Sequence, residues 1–145
     1  MSELRHGQAR TMTQDEMQRF LKKCSYGRLG LTFQNESYVV PVSYGYSQGR
    51  ILFHSVKQGK KVDFIKNNNR VCFEVDEFQK GWASVICHGT VSLREDVEAK
   101  KEFFDVLMVK SPSDEQLRRM GTSYIGIIQI EDMTGRYRED ADPPL

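Results

Sequence analysis

The chain has 145 residues, 39% hydrophobic and 28% charged, which suits one ordinary globular domain that buries a core without disulfide help. A formal net charge of +1 excludes a general pull toward nucleic acid or an anionic membrane, so any anion site must be local. No apolar run approaches the roughly 20 residues that span a bilayer, and "MSELRHGQARTMTQDE" lacks an apolar signal core, so a cytoplasmic location is expected.

In chain order, Thr13-Gln-Asp-Glu16 forms a capping box. Met17, Phe20, Leu21 and Cys24 recur behind it at helical spacing, predicting an amphipathic helix to about Ser25. "YGRLGLTF" reads as a strand, with a hairpin turn at Asn35 and Glu36. "SYVVPVSYGY" alternates with period two: Tyr38, Val40, Val42, Tyr44 and Tyr46 share one face; Val39, Pro41, Ser43 and Gly45 share the other. Pro41 cannot donate to a ladder, which puts this strand at an edge or an interruption. "SQGR" then turns the chain into a hairpin partner, Ile51 to Ser55.

Residues 59–67 read as a short helix with Val62 and Ile65 inward, ended by Asn67-Asn68-Asn69. "RVCFEVDEF" is a strand with Val71, Phe73 and Val75 on one face, and "GWASVICHGTVSLR" a longer one bent at Gly89. A second amphipathic helix, Asp96 to Lys110, carries Phe103, Phe104, Leu107 and Met108 as its core stripe. Pro112 ends it, and Ser113-Asp-Glu-Gln116 opens a short helix to Met120. "SYIGIIQIEDM" closes the chain as a strand. Alternating strands with short hairpin loops predict an α+β fold, a small antiparallel barrel with helices at its margin. A single domain, 1–145, is expected, with residues 1–11 and 136–145 as mobile tails.

The stretch "FHSVKQGKKVDF" invites a chemical reading. A helix start presents unpaired amides and the positive end of its dipole, where anions settle. Gly59 permits close backbone approach, Lys60 and Lys61 add ammonium groups, and charge-assisted bonds suit a phosphate. His54 and Ser55 are expected to point into the same space. On local sequence alone a second reading stands beside this one: Lys57, Lys60 and Lys61 as a solvated helix face, and His54 as a surface strand residue. Cys24, Cys72 and Cys87 show no metal-ligand spacing. His88 reads as a hydrogen-bonded structural histidine, and Cys87, pointing to the opposite strand face, is badly placed to act with it. Tyr38, Tyr44 and Tyr46 read as packing residues, not as a stacking platform for nucleic acid.

Taken together, "YGRLGLT", "YVVPVSYGY", "ILFHS", "GKKVDFIKNNNRVCFEVD" and "WASVICHGTV" resemble the nitroimidazole-resistance (Nim-type) flavoproteins of the pyridoxamine 5'-phosphate oxidase-like group, from about Met12 to Gly135. The resemblance implies a six-stranded antiparallel split β-barrel with flanking helices and a homodimer with one FMN in each interface cleft. It puts the flavin along Pro41, Val42, Ser43 and Tyr44 and against Phe53, His54 and Ser55. The phosphate would lie on Lys60 and Lys61, and Trp82, Ser84 and Val85 would line the cleft. It implies an FMN-dependent reductase of nitroimidazole-like compounds in which His54 acts near the substrate. The alternatives are a flavin storage or redox-sensing module, or pyridoxamine 5'-phosphate oxidase activity, for which an arginine-rich C-terminal segment is not evident. Haem or a deazaflavin could occupy the same cleft. Asn68-Asn69-Arg70 departs from the family's Asn-Pro-Arg, and no GxGxxG fingerprint is present.

Overall fold

The computed structural model describes residues 9–79, 81–107, 113–119, 121 and 123–139. Among the described residues, eight strands form one antiparallel sheet: β1 (Arg10–Thr11), β2 (Tyr26–Phe33), β3 (Glu36–Ser43), β4 (Gly45–Ser47), β5 (Arg50–Val56), β6 (Arg70–Gln79), β7 (Gly81–Arg94) and β8 (Ser123–Glu139). The helices are α1 (Gln14–Lys23), α2 (Lys60–Asn67), α3 (Val97–Val106) and α4 (Asp114–Arg119). The strands follow the order β3-β2-β6-β7-β8-β5-β4, and β1 pairs with β8. The two ends of that path, β3 and β4, are separated in the chain only by Tyr44. The sheet must therefore curl until its ends meet at a covalent corner, where the Tyr44 amide donates to the Ser25 carbonyl at 3.0 Å. This is a split barrel.

The eight strands contain the six expected ones. The predicted strand "SYVVPVSYGY" breaks at Tyr44, and β1 is added. Pro41 lies on β3, an edge of the sheet. The first hairpin turns at Gln34 and Asn35, both at positive φ (49° and 65°), so Glu36 already belongs to the strand. Gly89 marks a bulge: the register shifts between His88 and Gly89, leaving Glu131 of β8 unmatched.

Alternation sorts the side chains. Leu29, Phe73, Val75, Val85, Cys87, Ile51, Phe53 and Ile128 fill the barrel with essentially no exposure. Met17, Phe20 and Leu21 of α1 and Phe64 and Ile65 of α2 join the same core. The α1 capping box is present, with the Glu16 amide donating to Thr13 Oγ1 at 3.2 Å and the Thr13 amide to Glu16 Oε1 at 2.9 Å. Tyr44 hydroxyl donates to the Leu21 carbonyl at 2.7 Å and ties α1 to the sheet corner. On the outside, α3 packs Ala99 and Phe103 over Leu52, Ile125 and Ile127.

Three boundaries differ from expectation. α3 stops at Val106, and Leu107 is its exposed C-cap; Met108 and Pro112 fall outside the described residues, as does Met120. The Ser113–Gln116 capping box is present. Residues 136–139, expected in a tail, are the end of β8 paired with β7, and Arg10 and Thr11 pair with Tyr137 and Arg136. The long β7–β8 ladder supplies the missing hydrogen bonds, a partner that local composition cannot reveal.

Candidate functional site

The chemistry expected at the strand-to-helix junction depends on how α2 starts. Gly59 caps it at φ 125°, a conformation that favours glycine, and no side chain caps the helix. The first bond inside the helix runs from the Asp63 amide to the Gly59 carbonyl at 3.0 Å, so the amides of residues 60–62 have no partner within it. The three nearby lysines are not equivalent. Lys57 pairs with Glu95. Lys60 Nζ sits 3.0 Å from Glu36 Oε1 and over the rings of Tyr38 (4.9 Å to the centroid) and Phe64 (5.6 Å). Lys61 is half-buried, and burial pushes its ammonium below the usual lysine range. Among the described residues it has no ion-pair partner. The expected pair of ammonium groups is thus one free cation, Lys61, beside one that Glu36 already neutralises.

His54 and Ser55 do not point into one space, because neighbours on a strand face opposite ways. His54 is exposed on the outer face of β5, its ring 5.7 Å from that of Phe103 and edge-on at 75°. Ser55 is 2% exposed on the inner side and donates to the Val56 carbonyl at 2.9 Å. Phe53 and Val85 are core residues with 0% exposure, and Tyr44 is 2% exposed; all three can offer a ligand little beyond backbone. Pro41 and Ser43 are exposed on edge strand β3, with Val42 half-buried between them. Trp82 and Ser84 are half-buried on β7.

Ser55 and Ser84 are far apart along β8, whereas Pro41 shares a cross-strand row with Arg28, Glu74 and Ile86, beside Val85. Ser55 pairs with Tyr124 of β8, whereas Ser84 pairs with Arg136 of the same strand. Twelve residues separate the two registers, about 40 Å along the strand at ~3.3 Å per residue.

Sequence reasoning picked out Val39, Pro41 and Ser43 on the outer face of β3 but missed how β2, β6 and β7 extend that face. Register aligns Val39, Gly30, Cys72 and His88 across it, with Asp132 beyond. A groove of about 560 Å³ runs there, lined by Val39, Gly30, Arg70, Cys72 and His88 among others. The Cys72 sulfur occupies the space a Cβ on Gly30 would need, so a larger residue there would displace that side chain. His88 is exposed and makes no hydrogen bond among the described residues, unlike the bonded structural histidine expected. One row along, Arg28 Nη1 donates to Glu74 Oε1 and Asp76 Oδ2, both at 2.9 Å. The alternation in "GRLGL" and "RVCFEVD" hinted at such a face, but only the strand order brings Arg28 to Glu74. No helix among the described residues is long and apolar enough to cross a membrane.

Barrel, helix placement and uncapped junction together define a split-barrel protein, and comparison with known proteins agrees. The chain belongs to the pyridoxamine 5'-phosphate oxidase family, whose sequence profile matches residues 13–137. It is 27% identical to a FAD-binding protein of Mesorhizobium loti, with a TM-score of 0.76 over 90% of this chain and 99% of that one. A candidate 5-nitroimidazole antibiotic resistance protein of Bacteroides thetaiotaomicron superposes with a TM-score of 0.74 at 21% identity, over 94% of this chain and 96% of that one. A FAD-binding protein of Mycobacterium smegmatis gives 0.71 at 21% identity, over 91% and 100%. An uncharacterized protein of Rhizobium meliloti (strain 1021) is 29% identical over 82 residues, 55% of this chain, and the match spans about half (54%) of that protein's length.

Proposed function

We propose that this chain is an FMN-dependent oxidoreductase that reduces small electron-poor compounds, nitroimidazole-like ones included. The observation that carries the proposal is Lys61: a half-buried ammonium without a carboxylate partner among the described residues, at the uncapped start of α2. Such a group gains most from a dianion, because a phosphate would return the charge interaction that burial removes. Lys57 and Lys60 are already neutralised by Glu95 and Glu36, which leaves Lys61 as the cation at the helix start for the FMN phosphate.

The exposed edge at Pro41 and Ser43 would support one side of the flavin ring, and when bound the flavin supplies a hydride to the acceptor. His54, exposed on the outer face of β5, would deliver a proton from its imidazole to the reduced acceptor. Its edge-on contact with Phe103 limits the ring's motion. In this reading Trp82 and Ser84, distant from Ser55 along β8, would be supplied by a second copy. The functional unit in this reading is a homodimer with two clefts at the junction. The free thiols of Cys24, Cys72 and Cys87 suit a reducing, cytoplasmic setting.

The test is anaerobic. Protein loaded with FMN is reduced and mixed with a nitroimidazole, and the flavin absorbance is followed. Reoxidation with stoichiometric reduced product is expected. Flavin that stays reduced would replace the reductase with the storage or sensing module, and equal affinity for riboflavin and FMN would remove the phosphate site altogether.

A further inference from the structure

Resting on the reductase reading above, we infer that Lys57, Lys66 and Lys100, gathered around Tyr124 and Glu95, form a second anion site. It takes the 2'-phosphate of a phosphorylated nicotinamide dinucleotide, the hydride donor.

Distant parts of the chain meet there. Lys57 follows β5, Lys66 stands in the last turn of α2, Lys100 is on α3, Tyr124 is on β8, and Glu95 lies between β7 and α3. Lys57 Nζ lies 5.7 Å from the centroid of the Tyr124 ring and Lys66 Nζ 5.3 Å, so one ring holds two ammonium groups close together. Lys57 also pairs with Glu95. Lys100 is only 8% exposed, yet it makes no hydrogen bond or ion pair among the described residues. Its stem is buried while its ammonium reaches outward. Glu95 feels all three lysines: the hydrogen bond and charge of Lys57 first, then the charges of Lys100 and Lys66, hold its carboxyl below the usual range. A cavity of about 380 Å³, lined by Val56, Lys57, Gln58 and Gly121, opens beside Lys57.

The charge count selects the ligand. Three ammonium groups around one exposed carboxylate leave two positive charges. No other carboxylate close by cancels them: Arg94 engages Asp96, and Asp63, three positions before Lys66, makes no ion pair with it. Like charges held against one ring repel, and a bound anion relieves that repulsion. A phosphomonoester carries close to two negative charges near neutrality and offers three acceptor oxygens. The site also lies where a donor is needed. Tyr124 pairs with Ser55, one residue from His54 and its partner Ile125. Lys66 follows Lys61 by roughly 7 Å along the α2 axis, a separation that a dinucleotide spans. The chain has no GxGxxG loop to hold a dinucleotide by its diphosphate, so recognition falls to side chains. A dihydronicotinamide that gives one hydride to the oxidised flavin leaves as the oxidised nicotinamide, and solvent supplies the accompanying proton.

The experiment titrates FMN-loaded full-length protein with NADP+ and NAD+, which differ only in the 2'-phosphate and cannot reduce the flavin. Binding is read by calorimetry. The wild type is expected to bind NADP+ about tenfold or more tighter than NAD+. Lys66→Gln, and Lys100→Met with its buried stem kept, should each remove about tenfold from NADP+ affinity and leave NAD+ unchanged. Glu95→Gln frees Lys57 and should tighten NADP+. Equal affinity of the wild type for the two dinucleotides, or NADP+ affinity unchanged in both lysine variants, overturns the inference. So does a protein that prefers FAD to FMN when the lysine variants erase that preference instead, because the phosphate then belongs to the flavin. FMN titrated into the same proteins separates the two proposals. A chain that holds NADP+ through these lysines but never binds FMN sinks only the cofactor reading. One that binds FMN with no preference for NADP+ sinks only this one.

Discussion

Strands β2, β6 and β7 each present two faces built from alternate residues, and the two faces differ in kind. Inward, Leu29, Phe73, Val85 and Cys87 have 0% exposure and belong to one hydrophobic core. Outward, the same strands carry Arg28, Glu74, Asp76, Cys72, Ser84 and His88, with a groove where Gly30 lacks a side chain. The inner face holds the barrel together and tolerates no charge, because nothing there can solvate one. The outer face is free to carry chemistry because it contributes little to folding.

The sharpest way to break this comparison is one substitution on each side. Phe73→Ala should cost about 3–5 kcal/mol in denaturant unfolding, through lost burial and the cavity left behind. Ile86→Ser, one strand over but outward, should change stability by less than about 0.5 kcal/mol. Equal losses of stability would mean that both faces serve as core.

Next in size is the junction at α2. Lys61→Ala should weaken FMN binding by about 1.5–3 kcal/mol, roughly ten- to hundredfold, and leave riboflavin binding unchanged. Lys60→Ala should do much less, since its ammonium is engaged with Glu36 and two rings. Titration of both ligands into both variants checks it, and the reverse ranking would return the phosphate to Lys60.

Smaller effects sharpen the picture at the helix ends. Thr13→Ala removes the α1 cap and should cost about 1 kcal/mol without altering FMN affinity. Arg94 holds the Asp96 carboxyl down to about 2, from an ordinary 3.8, and the Ala99 amide assists as Asp96 caps α3. A depressed carboxyl stabilises above its unfolded value and loses that contribution as pH falls. The charge-linked part of the stability difference between wild type and Asp96→Asn should therefore be constant above about pH 5 and fall away progressively toward pH 1. The least conspicuous outcome concerns Cys87, whose thiol burial pushes up to about 12. It should stay unreactive toward a thiol reagent at pH 8 until the barrel unfolds.

Much of this architecture was legible in the chain. Thr13 and Glu16 announced α1, period-two alternation marked the strands, and Pro41 placed β3 at an edge. The junction was legible as a site but not in its parts. Which ammonium is free depends on Glu36 and Glu95, carboxylates 24 and 38 positions away from Lys60 and Lys57 by the numbering. His54 and Ser55 lie on opposite faces, which strand geometry alone could have told.

What the sequence determined by itself is local: caps, turns, alternation and the strand-to-helix switch at Gly59, each fixed by a few adjacent residues through backbone hydrogen bonding and side-chain periodicity. What only the tertiary structure decided is which distant strands lie side by side. That order joins Arg28 to Glu74 and Asp76, opens the groove at Gly30, and keeps Ser84 a long strand away from Ser55. Strand pairing is a global choice, made by which apolar faces can close together around one core, and no short stretch of chain contains it.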